Sequence, residues 1–143
     1  MKIKGFINNE INELSEVQKE EIVEFLFNHL EQYGDECDAI NKCLSYASKR
    51  GGSVWLAFSG NNLVGVSIFN ETGMQGYIPE NILVYIAVHK SQRGKGLGKQ
   101  IIQAALSKII GDVALHVEKD NPAKYLYEKL GFTNPYLEMR LKR

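Results

Sequence analysis

The chain has 143 residues, the usual length of one domain and enough for a core, and its 17 Lys and Arg balance its 17 Asp and Glu. A neutral count argues against a general nucleic-acid binder, which needs a basic surplus to displace counterions. No apolar run approaches the roughly 20 residues of a membrane span, and Met1-Lys2-Ile3-Lys4-Gly5-Phe6 lacks the apolar core of a secretory signal. The expectation is a single cytoplasmic domain over residues 1–143, with neither nucleic acid nor membrane as a partner. Cys37 and Cys43 match no zinc or redox spacing, so no metal is expected.

Residues 2–8 read as a first strand. Ser15-Glu16-Val17-Gln18 has the form of a capping box, and Ile22, Phe25, Leu26 and Leu30 follow at helical spacing. A second helix opens at Asp35, carries Ile40, Cys43, Leu44 and Ala47 on one face, and ends at Gly51-Gly52. The apolar period then shortens. Val54 to Phe58 and Leu63 to Phe69 read as strands joined across Gly60-Asn61-Asn62. After a loop over 71–81, Ile82 to Val88 is almost wholly apolar, as a strand covered on both faces should be. A glycine-rich turn leads into a helix with Ile101, Ile102, Ala105, Leu106, Ile109 and Ile110 on one face. Val113 to Val117 is another strand. Asn121 then caps a short helix with Pro122 at its first position, and Gly131 closes it. Phe132 to Leu141 alternates enough for one or two final strands. Trp55 is read as a strand residue packing under a helix.

Strand, turn, helix and strand in the second half imply a parallel pair with a right-handed crossover, while the upstream hairpin implies antiparallel neighbours. The fold class is therefore α/β, with a mixed sheet flanked by helices. A ligand is expected near the carboxyl end of the strand that feeds the glycine turn.

That turn is Arg93-Gly94-Lys95-Gly96-Leu97-Gly98-Lys99. Alternate glycines let the backbone approach a ligand and aim consecutive N–H groups outward. The start of a helix adds its positive end, and Arg93, Lys95 and Lys99 add charge. The combination suits an anion, and pyrophosphate is the natural guest. A Walker loop is excluded, because Gly98-Lys99 is followed by Gln100. A dinucleotide fingerprint fails as well, since Lys99 stands where its third glycine belongs.

Arg93-Gly94-Lys95-Gly96-Leu97-Gly98 resembles the Arg/Gln-x-x-Gly-x-Gly/Ala signature of the GNAT superfamily of acetyl-CoA-dependent N-acetyltransferases. Asn121-Pro122-Ala123 followed by Leu126-Tyr127-Glu128-Lys129-Leu130-Gly131-Phe132 is similar to the closing helix of that family. The resemblance covers nearly the whole chain. It implies a mostly antiparallel central sheet whose one parallel strand pair splays apart to admit pantetheine, with the two N-terminal helices facing the acceptor. It also implies acetyl-CoA as co-substrate and an amine acceptor that attacks the thioester directly. Carried over residue by residue, Ile86, Ala87 and Val88 hold the pantetheine, with a backbone N–H near Val88 polarising the thioester. The turn from Arg93 to Lys99 holds the pyrophosphate, and Asn121 contacts the pantetheine arm. Tyr127 protonates the departing thiolate, although its spacing with Ala123, Leu126 and Leu130 also suits an ordinary core aromatic. Homodimers through C-terminal strands are common among such relatives.

Two departures from the family pattern stand out. Asn121 lies six residues before Tyr127 where the family places it seven before, so either Asp120 or Asn121 makes the coenzyme contact. Ile82, Leu83 and Val84 offer no carboxylate as a base. His116, five residues before Asn121 where ribosomal-protein acetyltransferases carry a Glu, is the candidate base and shares a strand face with Glu118. A structural histidine or a water relay fits the same residues. Glu31, Asp35 and Glu36, with the loop from Glu71 to Asn81, are the candidate acceptor side, suited to a cationic amine. His29 and His89 are assigned no role. The alternative to an enzyme is a catalytically weak acyl-CoA-binding or regulatory module.

Overall fold

The structure is a computed structural model that describes residues 1–143. Five strands form one sheet in the order β1 (Lys2–Ile7), β2 (Gly52–Ser59), β3 (Asn62–Glu71), β4 (Asn81–Val88) and β5 (Val113–Leu115). The first three pairings are antiparallel and β4–β5 is parallel, as the connections required. Helices α1 (Glu16–His29) and α2 (Cys37–Lys49) cover one face, and α3 (Leu97–Leu106) with α4 (Ala123–Lys129) covers the other.

Local chemistry accounts for the helix ends. Ser15 Oγ accepts the Gln18 N–H at 3.1 Å while Gln18 Oε1 accepts the Ser15 N–H at 2.8 Å, which completes the capping box. In α4, Asn121 Oδ1 accepts the Ala123 N–H at 2.9 Å. The helix closes when Gly131 turns left-handed (φ 99°), with Gly131 N–H donating to Glu128 O and Phe132 N–H to Tyr127 O, a Schellman motif.

Each face of the sheet has its own core. Ile22, Leu26, Ile40, Leu44 and Ala47 of α1 and α2 pack on Val54, Leu56, Val66 and Ile68. Leu97, Ile101, Ile102 and Ala105 of α3 pack on Trp55, Ala57, Phe69 and Leu83. Trp55 also packs against the first strand, directly opposite Gly5.

Several expectations from the sequence need correction. Helix α2 opens at Cys37, two residues later than expected, because the Asp35 side chain is held by Tyr85 and Glu36 is still extended. Leu106 and Ile110 do not join the α3 stripe: both are exposed, because the helix ends at Leu106. Strand β5 stops at Leu115, and no strand follows Phe132, so the alternating tail finds no partner edge. The pairing of β4 with β3 also slips: Tyr85 faces Ile68 but Leu83 faces Phe69. Val84 is the extra residue of a β-bulge, so that Val84 and Tyr85 both face the α1–α2 core.

Candidate active site

Strand β4 is the base of the site. His89 N–H donates to Val64 O at 2.8 Å, and that parity makes Gly65–Val88 and Ser67–Ile86 the non-hydrogen-bonded pairs. The N–H and C=O of Ile86 and Val88 therefore point away from β3, toward the β5 side. Pairing with β5 ends at Leu83–Leu115. Beyond that point the two parallel strands part, and a cleft of about 530 Å³ opens along the free edge of β4.

One wall of the cleft comes from the α1–α2 junction, with His29, Glu31, Tyr33 and Asp35. The opposite wall comes from the end of β5 and from α4, with His116, Glu118, Asn121, Leu126 and Tyr127. Tyr33 OH donates to Asp120 O at 3.2 Å and so ties the two walls together. Ile86, Ala87, Val88, Asn121, Tyr127 and His116, all singled out from the sequence, thus meet in one cavity. Asp120 is not among the lining residues, whereas Asn121 is. The amide of Asn121 bridges Ala123 N–H and Glu118, donating to Glu118 Oε1 at 3.2 Å.

Burial pushes the Tyr127 phenol up to about 12, and the nearby Glu118 charge adds to the shift. It therefore keeps its proton throughout the neutral range. Its ring meets Phe132 edge-on, with centroids 5.9 Å apart. His116 is exposed at the cleft, one residue past the end of β5. On the α1–α2 wall, Tyr85 OH donates to Asp35 Oδ2 at 2.6 Å, and burial raises the Tyr85 phenol further than that of Tyr127. Neither Asp35 nor Glu118 has a cationic partner, because the ion pairs of the chain are Lys19–Glu16, Arg93–Glu31 and Arg140–Glu138. Two carboxylates outside any ion pair therefore line the cleft, which Arg140, paired with Glu138, also lines. Glu36, by contrast, precedes α2 outside the lining, and no residue of the loop from Glu71 to Asn81 lines the cavity.

The glycine turn sits at the end of β4, at the carboxyl end of the strand. Gly94 and Gly96 adopt φ of 75° and 79°, and a Cβ added to either would meet nothing within 4 Å. The space above the turn is open and the backbone conformation favours glycine. The N–H groups of residues 94–99 donate to no acceptor in the chain, and the last three of them open α3. Lys95 and Lys99 are exposed beside them. This cradle fits a pyrophosphate. Leu97 contributes only its backbone there, since its side chain is buried in the core.

Arg93 is placed otherwise. Its Nε donates to Val88 O at 3.2 Å, Nη1 to Glu31 Oε1 at 3.1 Å, and Nη2 to His29 O at 3.1 Å. Glu31 holds φ of 57°, a left-handed conformation that costs a non-glycine residue about 1–2 kcal/mol. Sequence reasoning placed Glu31 and Tyr33 in the acceptor region but missed Tyr85, the tie from Tyr33 to Asp120 and the grip of Arg93 on Glu31. Only the acidic run at 31–36 hinted that this junction faces a ligand.

Residues 50–134 match the family model of the acetyltransferase (GNAT) domain, and the chain belongs to that family. No curated protein matches it in sequence. Among solved structures, it resembles a transcriptional regulator from Bacillus halodurans C-125 at TM-score 0.73 and 18% identity, covering 99% of each chain. It resembles a ribosomal-protein-alanine N-acetyltransferase from Brucella melitensis biovar Abortus 2308 at TM-score 0.70 and 19% identity, covering 100% of both. An aminoglycoside antibiotic 6'-N-acetyltransferase from Acinetobacter haemolyticus gives TM-score 0.73 at 16% identity, over 100% of this chain and 98% of that one. At such identities the likeness is one of fold.

Proposed function

We propose that the protein is an N-acetyltransferase that moves an acetyl group from acetyl-CoA to a primary amine on a cationic acceptor. One observation carries this reading: the free edge of β4, Gly98 of the glycine turn and Tyr127 line one cleft, at the point where β4 and β5 separate. Acetyl-CoA supplies the activated acyl group as a thioester. The N–H groups of residues 94–99 would hold its pyrophosphate, with Lys95 and Lys99 adding charge. The open N–H and C=O of Ile86 and the N–H of Val88, flanked by Ala87 and Asn121, would take the pantetheine arm.

The acceptor nitrogen then attacks the thioester carbonyl carbon. A C–N bond forms, the C–S bond breaks, and the acceptor ammonium gives up two protons, one before attack and one after it. The outward N–H of Val88 would stabilise charge on the carbonyl oxygen, a role in which one fixed donor is worth about 3–4 kcal/mol. Tyr127 gives its proton to the departing sulfur. His116, exposed on the same cleft, takes the first of the two ammonium protons directly or through water before attack, and the second, shed by the nitrogen after attack, restores the Tyr127 phenol. Asp35 and Glu118, two carboxylates without cationic partners, favour an acceptor that carries positive charge.

A second reading, an acyl-CoA-binding module with little turnover, is favoured by one observation: no residue of β4 that lines the cleft carries a carboxylate. Thiol release from acetyl-CoA, scored across polyamines, aminoglycosides and N-terminal peptides, separates the two. Amine-dependent release is expected. Coenzyme affinity with no amine-dependent release would instead establish the binding module.

A further inference from the structure

Arg93 lies at the first position of the glycine turn, yet its guanidinium reaches away from that turn. It contacts the last residue of β4 through Val88 O, the last residue of α1 through His29 O, and the Glu31 carboxylate. All three kinds of nitrogen in the group are engaged, in a fork that a lysine could not reproduce. Glu31 is one of two non-glycine residues of the chain with positive φ, and the strained residue is the one the guanidinium grips. Strain of this kind persists only where the surroundings over-determine it. Immediately after Glu31 come Tyr33, whose hydroxyl ties the two walls, and Asp35, whose carboxylate is backed by Tyr85. The pair is half exposed, with side chains 43% and 41% accessible, so a large share in global stability is not its purpose. What it joins is specific: the turn that takes the coenzyme and the segment that forms the acceptor wall.

We propose that Arg93 is a positioning residue that couples the two subsites, holding the acceptor wall at Glu31–Asp35 in place when the glycine turn is loaded. This rests on the coenzyme reading above. Phosphate bound to the N–H groups that follow Arg93 restrains the turn, the restrained turn fixes the guanidinium, and the guanidinium holds Glu31 left-handed. Ordering the wall in advance lowers what the acceptor must order on binding, so the two ligands favour one another.

Hydrogen exchange read by mass spectrometry tests this without any acceptor. In the wild-type protein, coenzyme A is expected to slow amide exchange in a peptide spanning residues 30–36 by roughly tenfold. In Glu31→Gln, coenzyme A measured by calorimetry still binds within about threefold of wild type, but the slowing at 30–36 is lost. Arg93→Gln shows the same loss, and the double variant is no worse than either single one. Should one variant fail to fold, the other carries the test from the opposite end of the pair. Slowing that persists in Glu31→Gln overturns the coupling while leaving the coenzyme site intact. Wild-type protein that binds no coenzyme A overturns the coenzyme reading, and the coupling with it.

Discussion

Tyr127 is half-buried on α4 beside Glu118, and the two effects together hold its phenol proton well past neutrality. As proton donor to the leaving sulfur, it predicts that Tyr127→Phe lowers turnover about 10²-fold with little change in coenzyme affinity. Unchanged turnover would return the residue to ordinary packing. The thiols separate in the same way. Cys43 is buried in the α1–α2 core with its thiol pushed up to about 12 by burial, whereas Cys37 is half-buried at the start of α2. Iodoacetamide on the native protein is expected to label Cys37 and spare Cys43, and both should react in guanidinium. Equal labelling of the two in the native state refutes the assignment. That Tyr127 and Asn121 lie near one another at the cleft was legible because their motif is local. The destination of Arg93 was not, because its carboxylate partner lies 62 residues away in the chain.

At the scale of elements, periodicity carried most of the fold. The capping box at Ser15, the α2 stripe and the glycine stop of α4 all depend on neighbours within one or two turns, so the sequence displays them. Strand edges depend on pairing, and there the reading fell short: β5 is three residues long and the tail makes no strand. Gly5 on the edge strand β1 shows how pairing can reverse a local argument. Strand propensity alone favours Gly5→Val. However, Gly5 sits opposite Trp55, and a Cβ there would stand 2.2 Å from ring carbon Cζ3. The ring is also anchored by its Nε1, which donates to buried Ser53 Oγ at 2.8 Å. Gly5→Val is therefore expected to destabilise the protein by about 1–3 kcal/mol, read as a lower urea midpoint. A higher midpoint would show that the indole can move aside.

For the molecule as a whole, the alkaline limb of stability follows from three acids wholly or partly withdrawn from water. Burial raises Cys43 from 9.0 and Tyr127 from 10.0, each to about 12, and raises Tyr85 further in the same direction. Each group is neutral when protonated, and the folded chain keeps the proton longer than the unfolded one. As pH climbs past the unfolded values, the unfolded state binds fewer protons, and stability falls until the folded groups also ionise. The melting temperature should thus hold up to about pH 9 and decline toward pH 12. Cys43→Ala should flatten that decline, whatever it does to stability at neutral pH. A melting temperature independent of pH over this range would contradict the burial assigned to these groups. The balanced charge of the chain also hides a local division: cations gather at the glycine turn, while Asp35 and Glu118 face the cleft unpaired.

The sequence by itself determined the order of elements, the mixed sheet, the glycine cradle and the family, because each is written in residues close together along the chain. Only the tertiary structure decided which residues of the acidic junction face the cleft, with Asp35 held by Tyr85 from 50 residues away and Glu36 left outside. It likewise decided where β4 and β5 part, and that Arg93 reaches across to Glu31 at the α1–α2 junction. These outcomes turn on register, on a single bulge at Val84 and on contacts between distant segments, and no local pattern of side chains encodes them.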